Sequence, residues 1–185
     1  MATLNATYDR TTIALHWLMA VLVLVLWLIG TFLEDIVPKG ALRSGIWSAH
    51  FVLGFAFTAI LVALLGWRRT KGRQLPVEDP GPWHVLAKAT HAALYVLMLV
   101  IAGLGIANAF ARGVTLVGPL ALPQLGDPAW RRPLTHWHGI AANLLMAVAL
   151  FHAAAALVHH YLWQDAVLRR MLPGRRAAAI SLPRT

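Results

Sequence analysis

From Thr135 to Trp163 the chain is a long apolar run that nevertheless carries His136, His138, His152, His159 and His160. A polar side chain inside a membrane is costly and usually functional. His138 and His152 are fourteen residues apart. At ~100° and ~1.5 Å per residue, that step returns to within ~40° of its starting direction and advances ~21 Å. One helix therefore presents two imidazoles on one face, one toward each side of a bilayer. His136 falls ~160° from His152, on the opposite face. His159 nearly shares the face of His152 and lies ~10 Å further along. Two imidazoles at this separation suit two stacked haems, each taking one ligand from this helix.

The rest of the composition narrows the chemistry. The 185 residues contain no cysteine, which removes disulfides, iron–sulfur clusters, thiolate-ligated haem and covalent c-type haem. Zinc or copper is the rival use of histidine, but ligands ~21 Å apart along one helix cannot share an ion. The chain is 59% hydrophobic and only 12% charged, more apolar surface than a soluble domain can hide. The net charge of +9 does not read as nucleic-acid binding. Its basic residues sit between apolar runs, where topology and anionic lipid explain them. Residues 1–185 form one domain without a repeat, and Met1–Arg10 lacks the features of a signal peptide.

Four apolar runs, at about 13–33, 46–67, 83–108 and 135–163, are long enough to cross ~30 Å of hydrocarbon. The expected fold is an all-α integral membrane protein, a four-helix bundle. Arg10, loop two with Lys88, and the tail with Arg175, Arg176 and Arg184 hold eleven of the sixteen Lys and Arg. Both termini are therefore expected in the cytoplasm. Trp67, Trp83, Trp137 and Trp163 fall at run ends, as interfacial anchors do. Pro76, Pro80 and Pro82 mark loop two as extended. Loop three, residues 109–134, is broken by Gly113, Gly118, Pro119, Pro123, Gly126 and Pro128 and is expected on the membrane surface.

Depth then sorts the histidines. His16 opens the first helix on the inner side, and His50 opens the second on the outer side. His138 is outer and His152 inner. His16 with His152 can clamp an inner haem, and His50 with His138 an outer one. Ligation by two imidazoles leaves no open iron position, which suits electron transfer. Haem propionates call for cations: Arg10 or Lys88 inside, Arg43, Arg131 or Arg132 outside. Gly54, Gly103, Gly105 and Gly139 would let a flat macrocycle approach the backbone. His84, His136 and His160 read more simply as polar residues bonding across helices.

These residues resemble the bacterial cytochrome b561 family over nearly the whole chain. The resemblance is carried by Ala14-Leu15-His16-Trp17, by Trp137-His138, and by the run Leu150-Phe151-His152 through Leu157-Val158-His159-His160-Tyr161. It implies a multi-pass protein of the bacterial inner membrane with two non-covalent haem b, on the same four histidines in the same pairs. The last run resembles the superoxide-oxidising type, which implies electrons passing from superoxide outside to ubiquinone. Lys39, Arg43, Arg112, Arg131 and Arg132 would draw the anion to the outer face. The alternative is a carrier subunit linking quinol to a partner redox protein. A transporter of metal or haem is the third reading, weakened by the tightness of two-histidine sites.

Quinone reduction needs an apolar slot and a titratable group. His159 is the expected catalytic proton-handling residue, since imidazole exchanges protons near neutral pH. Trp163 and Tyr161 would line the slot. His91, one turn after Lys88, competes for the role. The competing reading makes His159 and His160 a pair snorkelling at the interface.

Overall fold

The computed structural model describes residues 7–73, 75 and 82–172. Pro76, Pro80, Arg175, Arg176 and Arg184 lie outside the described residues. Four long helices follow in order: α1 (Arg10–Ile36), α2 (Ala41–Thr70), α3 (Pro82–Arg112) and α4 (Arg131–Tyr161). Each is long and apolar enough to cross a membrane.

The helices differ at their ends from the apolar runs. A hydrophobic count stops where charge begins, but a helix continues while its terminal groups find partners. Asp9 caps α1, its carboxylate accepting from the Thr12 N–H at 2.9 Å and the Thr12 hydroxyl at 2.7 Å. α2 runs on through Arg68 and Arg69, whose cations suit the carbonyl end of a helix. A 3-10 turn at Pro128–Trp130 leads directly into α4, with the Asp127 carboxylate accepting from the Ala129 N–H. α4 closes at Tyr161, two residues short of the expected Trp163.

Loop three is correspondingly shorter than expected and partly ordered. Its first four residues belong to α3 and its last four to α4. Between them, β1 (Thr115–Val117) pairs antiparallel with β2 (Leu120–Ala121). The turn uses Gly118 at φ +53°, a conformation that favours glycine. The Ser48 hydroxyl donates to the Thr115 carbonyl at 3.0 Å and pins this hairpin beside the start of α2.

The buried core is narrow and draws on all four helices: Met19, Leu22, Phe57, Leu61, Leu64, Met98, Ala102 and Leu145. Many other large apolar residues point outward, among them Val21, Leu28, Val62, Leu99 and Leu150. Such a surface is stable only in lipid.

At the end bearing the termini, Asp9 also accepts from the Trp67 indole at 2.9 Å and the Arg73 N–H at 3.1 Å. The segment after α4 returns to α1, where the Trp17 indole donates to the Met171 carbonyl at 2.7 Å. Burial alone would raise the Asp9 carboxyl, but hydrogen bonds from Thr12, Arg73 and Trp67 outweigh it. They hold the group well below the usual carboxylate range. Asp9→Ala should therefore cost about 1–2 kcal/mol through the lost cap, read as a lower Tm in detergent. A depressed carboxyl stabilises above its unfolded pKa of ~4 and loses that contribution as pH falls through its folded value. The two proteins should converge in stability only on strong acidification.

Candidate functional site

The bundle brings the histidines together in two places. At the hairpin end, α2 and α4 set the rings of His50 and His138 6.3 Å apart at 73°. At the terminus end, α1 and α4 set His16 and His152 6.2 Å apart at 68°. Two imidazoles facing each other across one metal, each at a bond length of ~2 Å, have ring centres ~6 Å apart. Among the described residues no three His, Cys, Asp or Glu gather to hold an ion. Two nitrogen donors per site suit a group that brings its other ligands with it, as a macrocycle does.

The hairpin-end pair opens into a cavity of about 630 Å³ between the helices. Gly30, Gly54, Gly105 and Gly139 line it. A Cβ at Gly54 or Gly139 would meet nothing within 4 Å, whereas one at Gly105 would lie 3.1 Å from His138 Cε1. One at Gly30 would lie 3.5 Å from His50 Cε1. These glycines leave flat walls beside the imidazoles. Gly103, also expected, does not line the cavity, and Gly30 was not expected. Its signal was present: it lies fourteen residues after His16, the same step that separates His138 from His152.

Nδ1 of His50 and Nδ1 of His138 are buried without hydrogen-bond partners. The Ile101 carbonyl faces the His138 ring without completing a bond. Buried polar atoms are normally satisfied, so a pair of exceptions at one cavity fits a place shaped for a guest.

The cations are arranged differently from expectation. Arg43 donates through Nε to the Val37 carbonyl at 2.6 Å and through Nη2 to the Glu34 carbonyl at 2.8 Å. Arg131 Nε donates to the Ala111 carbonyl at 2.9 Å. Both thus close helix ends, α1 and α3, while Arg132 is exposed. The cation in the cavity wall is Arg112. It donates to buried Asn108 at 3.0 Å and to the Thr135 hydroxyl at 2.8 Å. Glu34 and Asp35 line the same cavity. Sequence reasoning named Arg112 only as part of a basic rim, because its Asn108–Thr135 partners come from different helices.

At the terminus end another imidazole stands beside the pair. The ring of His91 lies 5.1 Å from that of His152. His91 Nδ1 is 2.8 Å from the Ala87 carbonyl of its own helix. His159 pairs through Nδ1 with the Asp165 carboxylate, and the ring of Trp163 stands against it at 4.4 Å. Trp83 reaches Trp163 at 5.5 Å. Lys88, Arg10 and Tyr161 are exposed. His160, expected to bond across helices, instead stacks edge-on with Tyr161, and its Nδ1 has no hydrogen-bond partner. His136 is exposed beside Trp137.

Four apolar helices that bring histidines together in two places fit a membrane cytochrome of the b type. The chain belongs to the prokaryotic cytochrome b561 family, whose model matches residues 7–174. It is 31% identical to the cytochrome b562 of Cereibacter sphaeroides over 91% of this chain and 96% of that one. It is 28% identical to the probable superoxide oxidase of Yersinia pestis, over 94% and 99%. Cytochrome b561 homolog 1 of Escherichia coli is 27% identical, over 91% and 98%. The protein is thus a bacterial membrane electron carrier, and its family implies haem b. Gly105→Leu should push a side chain toward His138. The expected result is less haem per chain by pyridine haemochrome assay, with helix content unchanged by circular dichroism.

Proposed function

We propose that this chain oxidises superoxide on the outer face of the bacterial inner membrane and reduces ubiquinone near the cytoplasmic face. The observation that carries the reading is the presence of two imidazole pairs, at 6.2 and 6.3 Å, near opposite ends of α4. His16 and His152 would hold one haem b, and His50 and His138 the other. Haem held by two imidazoles supplies reversible one-electron transfer and no open iron position. The reaction balances as two superoxide ions, one quinone and two protons giving two dioxygen and one quinol. The Lys and Arg distribution supports both termini in the cytoplasm. That orientation puts the Arg112 cavity outside and His159 inside.

Each chain residue has a task in this scheme. Arg112, held by Asn108 and Thr135, offers a fixed cation at the outer cavity. Exposed Arg132 adds to the rim that draws a small anion. His159 hands protons to the quinone, with Trp163 as an apolar wall. His91 has the neutral Ala87 carbonyl at its Nδ1 where His159 has a carboxylate, which leaves it the weaker candidate for proton exchange.

One observation favours a second reading. Glu34 and Asp35 stand beside Arg112 in the cavity wall, and two carboxylates repel an anion. A carrier subunit that exchanges electrons with a partner redox protein has no need to attract superoxide. Purified protein in liposomes with ubiquinone separates the two. Under the leading reading, superoxide alone drives quinol formation. The rate falls as salt rises from low to physiological strength. Replacing exposed Arg132 by Gln lowers the second-order rate, as steering predicts, at constant haem content. No quinol formation without an added partner would favour the carrier subunit.

A further inference from the structure

The chain beyond α4 turns back on itself in a way that serves His159. Gln164 adopts φ 54°, the only non-glycine with positive φ among the described residues. A side-chain-bearing residue enters that region at a cost and stays there only when its surroundings hold it. Here the turn carries Asp165 beside the last turn of α4. The Asp165 N–H donates to the His159 carbonyl at 3.1 Å. Its carboxylate is held by two groups at once. One oxygen meets His159 Nδ1, and the other accepts from the Val167 N–H at 2.9 Å. Arg169 donates to the Asp165 carbonyl at 3.1 Å and to the Gln164 carbonyl at 3.3 Å, which fixes the turn from below. Trp163 packs edge-on against the imidazole, and Trp83 of α3 packs against Trp163. Both side chains of the pair remain partly accessible, at 25% and 28%.

A carboxylate on one imidazole nitrogen decides what the other nitrogen does. It keeps the proton on Nδ1 and orients the ring. Nε2 is then the nitrogen that gives and takes protons. This arrangement differs from a snorkelling pair, which needs no carboxylate and no strained turn. His160, the next residue, has no such partner.

We propose that Asp165 is the positioning residue of the quinone-reducing site, holding His159 so that Nε2 delivers protons to a quinone oxygen. The proposal rests on His159 being the proton-handling group there. In each delivery the Nε2–H bond breaks and a quinone O–H bond forms. The ring returns to neutral with its Nδ1–H still donating to the Asp165 carboxylate. Water on the terminus side restores the Nε2 proton. Two such deliveries match the two electrons that two superoxide ions supply, and quinol leaves.

The test compares Asp165→Asn, Asp165→Glu and His159→Ala in liposomes, reading haem content, haem reduction by superoxide, and kcat and KM for a short-chain ubiquinone. The expected result for Asp165→Asn is full haem content and normal haem reduction, with kcat for quinone down ~10–100-fold and KM little changed. Asp165→Glu keeps the charge on a longer stem and should recover part of kcat. Normal kcat in Asp165→Asn beside a collapsed His159→Ala overturns the role of Asp165 while leaving His159 in place. Normal kcat in His159→Ala removes the site from this end of α4 altogether. Loss of haem in both Asp165 variants makes the residue structural and overturns the proposal.

Discussion

An imidazole in hydrocarbon needs a partner, and α4 sets His138 and His152 about four turns apart. That constraint arranges the bundle. α1 must bring His16 to the level of His152, and α2 must bring His50 to the level of His138. Both do so from their first half, because they cross in opposite directions. The shared core from Met19 to Leu145 sits between the two levels. At the hairpin end the core gives way to the cavity beside His50 and His138. The glycines follow from the same demand. Gly30 and Gly105 stand against the imidazoles, where a larger side chain would crowd the ring.

The two ends of the bundle are built for different work. At the hairpin end a cavity is walled by glycine and by a cation whose hydrogen bonds come from α3 and α4. Arg43 and Arg131, the more obvious cations, are spent on helix carbonyls instead. At the terminus end the groups are titratable and packed with tryptophan: His91 against His152, and His159 between Trp163 and Asp165. Asp9 ties the start of α1 to the end of α2, and the segment through Met171 returns to Trp17. The residue after Trp17 in this logic is its neighbour His16, whose ring it meets edge-on at 5.5 Å. The terminal tether and the histidine pair therefore share one stretch of α1.

Much of this was legible in the sequence, for a physical reason. Spanning helices obey a fixed rise and angle, so spacing along the chain converts directly into depth and face. The rings of the expected companions lie 6.2 Å apart for His16 and His152 and 6.3 Å for His50 and His138, and His91, expected nearer the quinone, also meets His152. What could not be read depends on side chains from separate helices. Arg112 looks like any loop cation until Asn108 and Thr135 are beside it. Asp165 looks like a lone acid in a tail until Gln164 turns the chain. Helix ends were misjudged because capping by Asp9 extends α1 beyond its apolar run and because a 3-10 turn capped by Asp127 runs directly into α4. Loop three hid a hairpin because two strands of three and two residues leave almost no periodic signal.

The proposed function requires each histidine pair to hold its own haem. The direct measurement is haem per chain, with reduced-minus-oxidised spectra, in the wild type and in four single variants: His16→Ala, His50→Ala, His138→Ala and His152→Ala. The account predicts two haem b in the wild type. Each variant should retain about one, and the spectra should fall into two classes, with the His16 and His152 variants alike and the His50 and His138 variants alike. A variant that keeps both haems, or spectra that pair the residues otherwise, would contradict it.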